Sequence, residues 1–142
     1  MDRRDFAVAF PALLASLAAE PAHAALSDIK SGVYKPGPEK SGSIPKRASR
    51  AFTQGLLKSG NIRLEVHQTT QQVGAPHEPE ETHVHTEIWF VQQGEVTLTI
   101  NGSPTRLRAG DLGICVAGDR HYIQNSGDTP ATYLVVAVGP PE

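Results

Sequence analysis

The chain has a single cysteine, Cys115, among 142 residues. It cannot close an intramolecular disulfide, so stability must come from a core, a bound metal or a partner. Cys115 lies in the apolar run Leu112–Val116, which suits buried filler better than a reactive thiol. An excess of one charge is also missing. Thirteen Lys and Arg stand against 15 Asp and Glu, a net charge of −2, which leaves no basic field for nucleic acid. Long apolar runs are absent too. The stretch 6–19 falls short of the roughly 20 residues a spanning helix needs, and it contains Pro11, so no stable membrane span is expected. There is no internal repeat and no segment of helical period beyond the N-terminus. The length suits one domain.

What is present begins with an export pattern. Arg3-Arg4-Asp5-Phe6 precedes the apolar run, and Ala22-His23-Ala24 offers small residues where signal peptidase cuts. Residues 1–24 therefore read as a cleaved signal peptide, and the chain as a periplasmic or secreted bacterial protein. Arg-Arg-x-Phe resembles the twin-arginine signal, whose route carries folded, often cofactor-loaded, proteins.

Residues 25–60 are polar and punctuated by Lys35-Pro36-Gly37-Pro38 and Ser41-Gly42-Ser43-Ile44-Pro45. They read as an extended N-terminal arm with one or two short strands. From Asn61 the pattern changes to short strands of period two, the start of a barrel over 61–142. Ile62, Leu64 and Val66 alternate with Arg63, Glu65 and His67, which places His67 on the exposed side. Ile88-Trp89-Phe90-Val91 is apolar on both faces, as in a strand buried between two layers. Val96, Leu98 and Ile100 lead to Asn101-Gly102, the strongest hairpin signal in the chain. Arg106 and Arg108 share an exposed face. Leu112–Val116, Tyr122–Gln124 and Tyr133–Val138 supply three further strands, and the last, being the most apolar, should be central. Short strands with Gly-rich turns predict an all-β sandwich or barrel.

Chemistry concentrates in two stretches. In the first, every other residue from 81 to 87 is a potential metal ligand: Glu81, His83, His85 and Glu87. The second runs from Gly110 through Gly118 and His121 to Asn125. Together they resemble the paired motifs of the cupin family. Gly110, Gly118, His121 and Asn125 fall at the spacing of the family's second motif, with Val116 where proline is usual. Glu87 and Gly94 fall at the spacing of the first. Counted back from Glu87, the motif's two histidines should stand at 81 and 83; His83 is present, and position 81 is Glu. The resemblance implies a double-stranded β-helix, or jelly-roll barrel. It also implies a divalent metal held by Glu81, His83, Glu87 and His121.

Spacing supports that frame over one using His85. Residues 83, 85 and 87 of one extended strand would spread over roughly 13 Å, too far for three short donors without a bend. A pair at 81 and 83, a bend through Val84–Thr86 and Glu87 opening the next strand can instead curl around one ion. Donors to one ion must each lie about 2.0–2.2 Å from it. His85 is then a spare. Two His and two Glu favour Mn or Fe, with Zn or Ni also accommodated. The family likeness implies a metal-dependent enzyme of dioxygenase, isomerase, lyase or decarboxylase type acting on a small organic molecule. Glu81 or His85, whichever does not bind metal, is the candidate catalytic base. Trp89, His77 and Tyr122 are expected to line the substrate pocket. The other reading is a non-catalytic binding module for a small molecule. A homodimer is expected, in which the arm adds a strand to a partner barrel. Asn125 should tie down the turn that follows it.

Overall fold

The computed structural model describes residues 25–142 as nine strands, with no helix among the described residues. Residues 1–24, where the sequence predicts a signal peptide, lie outside them. The strands are β1 (Lys40–Ser41), β2 (Arg47–Leu57), β3 (Ile62–Gln71), β4 (Thr86–Gln93) and β5 (Glu95–Ile100). They continue with β6 (Ser103–Arg108), β7 (Leu112–Cys115), β8 (His121–Asn125) and β9 (Ala131–Gly139). They form two antiparallel sheets, a six-stranded one in the order β1-β2-β3-β9-β4-β7 and a three-stranded one in the order β6-β5-β8. The all-β jelly-roll expectation holds. β9 is central in the larger sheet, between β3 and β4, as its apolar sequence requires.

Turn chemistry sets the registers. Asn101 and Gly102 both have positive φ, 49° and 79°, as a two-residue hairpin between β5 and β6 demands. Gly94 joins β4 to β5 at φ 76°. A β-carbon there would stand 2.5 Å from the Pro130 carbonyl oxygen and 2.8 Å from Ala131 Cα, so only glycine passes beneath the start of β9. Asn125 ties down the next turn: its Nδ2 donates to Thr129 O at 2.9 Å, and its Oδ1 accepts Gly127 N–H at 2.9 Å.

The core lies between the sheets, with Trp89, Val91, Val96, Leu98, Ile123 and Tyr133 buried. On β9, Tyr133, Val135 and Ala137 point inward. Register then fixes β3, because His67 pairs with Val135 and Glu65 with Ala137. Paired residues share a face. Arg63, Glu65 and His67 therefore face into the barrel, the reverse of the expectation for His67. Leu64 and Val66 face outward.

The same alternation corrects the reading of β4. Trp89 and Val91 are buried, but Phe90 is exposed. Its outward row runs Gln68, Leu134, Phe90, Leu112, and the neighbouring row runs Val66, Val136, Ile88, Ile114. An apolar stripe thus crosses the outer face of the larger sheet, with no second layer over it among the described residues.

Residues 25–60 contain more regular structure than short strands. β2 is 11 residues long and pairs with the chain's own β3, with a bulge at Ala51/Thr53. No helix among the described residues is long and apolar enough to cross a membrane.

Candidate metal centre

The segment between β3 and β4 leaves the six-stranded sheet, bridges to β8 of the three-stranded one and returns, and this places the ligand-type residues. Glu81 and His121 exchange backbone hydrogen bonds, Glu81 N–H to His121 O at 3.0 Å and His121 N–H to Glu81 O at 2.9 Å. That bridge pins position 81 to the start of β8, in the three-stranded sheet. Gly118 N–H donates to His83 O at 2.9 Å. Two residues after the bend at 84–85, Glu87 sits inward on β4, in the six-stranded sheet, paired with Cys115. The second stretch therefore meets the first.

Glu87 is the hub. Its Oε2 lies 3.0 Å from His121 Nε2. Its Oε1 lies 3.2 Å from His85 Nε2 and 3.9 Å from His83 Nε2. Glu81 turns in far enough for its Oε2 to reach His83 Nε2 at 3.1 Å. Glu81, His83 and His121 each present a ligand atom within 4.8 Å of the others. The four residues expected to share a site thus converge.

His85, expected to be a spare, converges with them through the expected bend. The bend folds it back on His83, the two rings stacking with centroids 4.3 Å apart and planes 14° from parallel. Strand rise does not apply across a bend, so the roughly 13 Å spread does not arise.

Electrostatics bind the hub to its partners. Burial opposes ionisation of Glu87, but hydrogen bonds from His121 and His85 outweigh it and hold the carboxyl below the usual carboxylate range. Burial likewise opposes charge on His121, yet the hydrogen bond and the charge of Glu87 hold that imidazole above its ordinary value. On the other side of the ring, Cys115 Sγ lies 3.4 Å from His121 Nδ1. Cys115 is buried, and burial pushes its thiol up, which suits a packing role.

A cavity of about 260 Å³ opens beside the cluster, lined by Glu81, Glu87 and Trp89 and also by Arg47, His67 and Glu78. Trp89 is both pocket wall and core, with its ring centroid 5.2 Å from that of His121. Arg47, His67 and Glu78 were not among the residues the sequence singled out for the pocket. Arg47 pairs with Glu78 at 2.6 Å, and Glu78 also accepts Ile123 N–H at 3.2 Å. His67 Nδ1 stands 3.2 Å from Glu65. Only the inward parity of β3 marks His67, and that parity is set by pairing with β9. His77 and Tyr122 stack on each other, centroids 4.1 Å apart. Tyr122 alternates away from buried His121 and Ile123 along β8, and neither ring is among the residues lining the cavity.

The site fits a divalent metal by its donor chemistry: imidazole nitrogens and carboxylate oxygens facing one another at the inner ends of two sheets. Residues 59–137 match the family described as Cupin domain. Among solved structures, KdgF from a Halomonas species aligns with a TM-score of 0.63 at 15% identity, covering 80% of this chain and 96% of that one. A protein described as a predicted oxalate decarboxylase from Thermotoga maritima aligns with a TM-score of 0.56 at 22% identity, covering 74% and 92%. A cupin described as a sugar phosphate isomerase from Silicibacter pomeroyi aligns with a TM-score of 0.57 at 20% identity, covering 76% and 73%. At these identities the likeness concerns the fold.

Proposed function

The chain belongs to the cupin family, and from that premise we propose that it is a metal-dependent cupin enzyme acting on a small organic molecule after export. The observation that carries the reading is the convergence of three imidazoles on the two oxygens of Glu87 beside a cavity. His83, Glu87 and His121 would hold a divalent ion such as Mn, Fe, Zn or Ni. Of Glu81 and His85, one completes the set and the other stays free to carry a proton for the substrate. Bound there, the ion would supply Lewis-acid polarisation of substrate oxygens or, if redox-active, dioxygen chemistry. The chain's own part is to shape and dry the pocket. Trp89 excludes water on one side. Arg47, held by Glu78, and His67, held by Glu65, offer donors on the other. A cavity of about 260 Å³ suits a small substrate.

The test is elemental analysis of protein purified without chelator. About one equivalent of a divalent transition metal is expected in the wild type and almost none in a His83→Ala/His121→Ala variant. Metal-free wild type would sink the reading. In its place would stand a non-catalytic binding module, marked by an organic ligand that raises the melting temperature of the chelated protein.

We further propose a homodimer, placed on the outer stripe rather than on the arm, since β2 is taken up by the chain's own β3. Phe90, Leu112 and Ile114 on adjoining strands, with Val116 just past β7, are 42–55% exposed, and an apolar patch of this kind favours burial against a copy of itself. Phe90→Glu should convert a dimer into a monomer in light scattering after size exclusion. A wild type that is already monomeric at about 50 µM, a concentration that populates micromolar dimers, would remove this proposal.

A further inference from the structure

The last residues of the chain close on the outer side of the histidine pair. β9 ends at Gly139, and a β-carbon there would stand 2.6 Å from His85 Cα and 2.8 Å from His85 Cβ. Only glycine lets the strand end lie against the metal loop. Pro140 and Pro141 follow, each with φ fixed by its ring, so the segment has few alternative paths. It delivers Glu142 to three contacts. Oε1 accepts the Val84 backbone N–H at 2.6 Å. Oε2 lies 3.2 Å from His85 Nδ1 and 3.7 Å from His83 Nδ1. The opposite nitrogens of the same two rings, both Nε2, are the ones that face Glu81 and Glu87.

We propose that Glu142 is a positioning residue for the metal centre: with an ion in the site, its carboxylate holds the N–H of His85 on Nδ1, 3.2 Å away, and leaves the His85 Nε2 lone pair directed at the cluster. A neutral imidazole carries one N–H, and the partner of one nitrogen decides which atom carries it. A carboxylate behind a ligand histidine fixes the tautomer, stops the ring from turning and makes the metal-facing nitrogen more basic. Here the carboxylate reaches His85, on which the His83 ring stacks, and it stays put because Val84 N–H, inside the same loop, holds its other oxygen. The inference rests on the metal-centre reading above.

The experiment uses the full chain, as wild type, Glu142→Gln and Glu142→Ala, titrated with Zn²⁺ and Co²⁺ against a competing chelator. Gln keeps an oxygen for Val84 N–H and loses the charge. Both variants should bind one equivalent about 10–100-fold more weakly than wild type, the loss typical of an outer partner. The visible Co²⁺ absorption should change shape, while the melting temperature in chelator stays within about a degree, because Glu142 is a surface group outside the core. Wild-type affinity and an unchanged Co²⁺ spectrum in both variants would overturn the proposal while leaving the metal centre standing. So would two equivalents in the wild type and one in the variants at unchanged tight affinity. Glu142, His83 and His85 would then be ligands of a separate ion, a use their mutual distances permit. A wild type that takes no metal would instead overturn the metal-centre reading, and this proposal with it.

Discussion

Replacing Glu87 by glutamine is expected to strip the site of its metal, weakening divalent binding by more than the roughly 100-fold that loss of an outer partner costs. Among the described residues, Glu87 pairs with all three of His83, His85 and His121. Its amide analogue is neutral, offers a single weak oxygen, and turns a donor NH₂ toward one set of imidazoles. The same variant should change the pH dependence of the metal-free chain. The Glu87 carboxyl is held below its ordinary 4.5, so its contribution is present above that pH and is lost as pH falls through the lowered value. The His121 imidazole is held above its ordinary 6.5, so its contribution is present below that pH and is lost as pH rises through the raised value. The two act together between pH 4.5 and 6.5, where the chelated wild type should gain stability from the pair. Glu87→Gln should flatten that gain in denaturant titrations run at several pH values. Metal binding should strengthen as pH rises through the raised His121 value, where that imidazole loses its proton. Stoichiometric metal in Glu87→Gln at wild-type affinity would shift the hub to Glu81.

The residues that were legible in the sequence are those with local signals. Asn101-Gly102 and Gly94 mark turns by their φ, the period-two runs mark strands, and Tyr133–Val138 marks the central one. Glu81, His83, Glu87 and His121 come together as the paired motifs imply. The illegible features are those that only tertiary pairing decides. β3 alternates apolar with polar, and alternation does not say which face is inside. The outer face of this sheet is itself apolar, through Val136, Ile88 and Ile114, so Leu64 and Val66 join that stripe and His67 turns into the cavity. The bend through 84–86 is legible from ligand spacing, but not that it folds His85 back onto His83, because the direction of a bent segment is set by its tertiary contacts. Glu142 meets Val84 across 58 positions of sequence, where no spacing rule reaches.

Gln71→Leu is expected to destabilise the fold by about 3–5 kcal/mol, although the side chain is similar in size and more apolar. Gln71 is fully buried at the end of β3. Its Nε2 donates to Tyr133 Oη at 2.8 Å and to Ile123 O at 3.2 Å, and its Oε1 accepts Asn125 N–H at 2.9 Å. Leucine leaves the Tyr133 hydroxyl and the Asn125 N–H without these partners in the interior, at about 1–3 kcal/mol each, and adds a misfit of shape. Burial already pushes the Tyr133 phenol up, which reports how dry that region is. Tyr133→Phe alone should cost about 1 kcal/mol, and adding it to Gln71→Leu should cost less than the sum, because the second change removes an orphan made by the first. A loss under about 1 kcal/mol for Gln71→Leu would mean that water satisfies both groups. Asn125 and His121 are the two ends of β8, so the network holds one end of the strand and a metal at His121 would hold the other. A metal that binds the folded chain alone should therefore offset part of the Gln71→Leu loss, by about 2.7 kcal/mol at a 100-fold excess over Kd. A chelated melt and a metal-loaded melt of the one variant thus separate the two supports of β8.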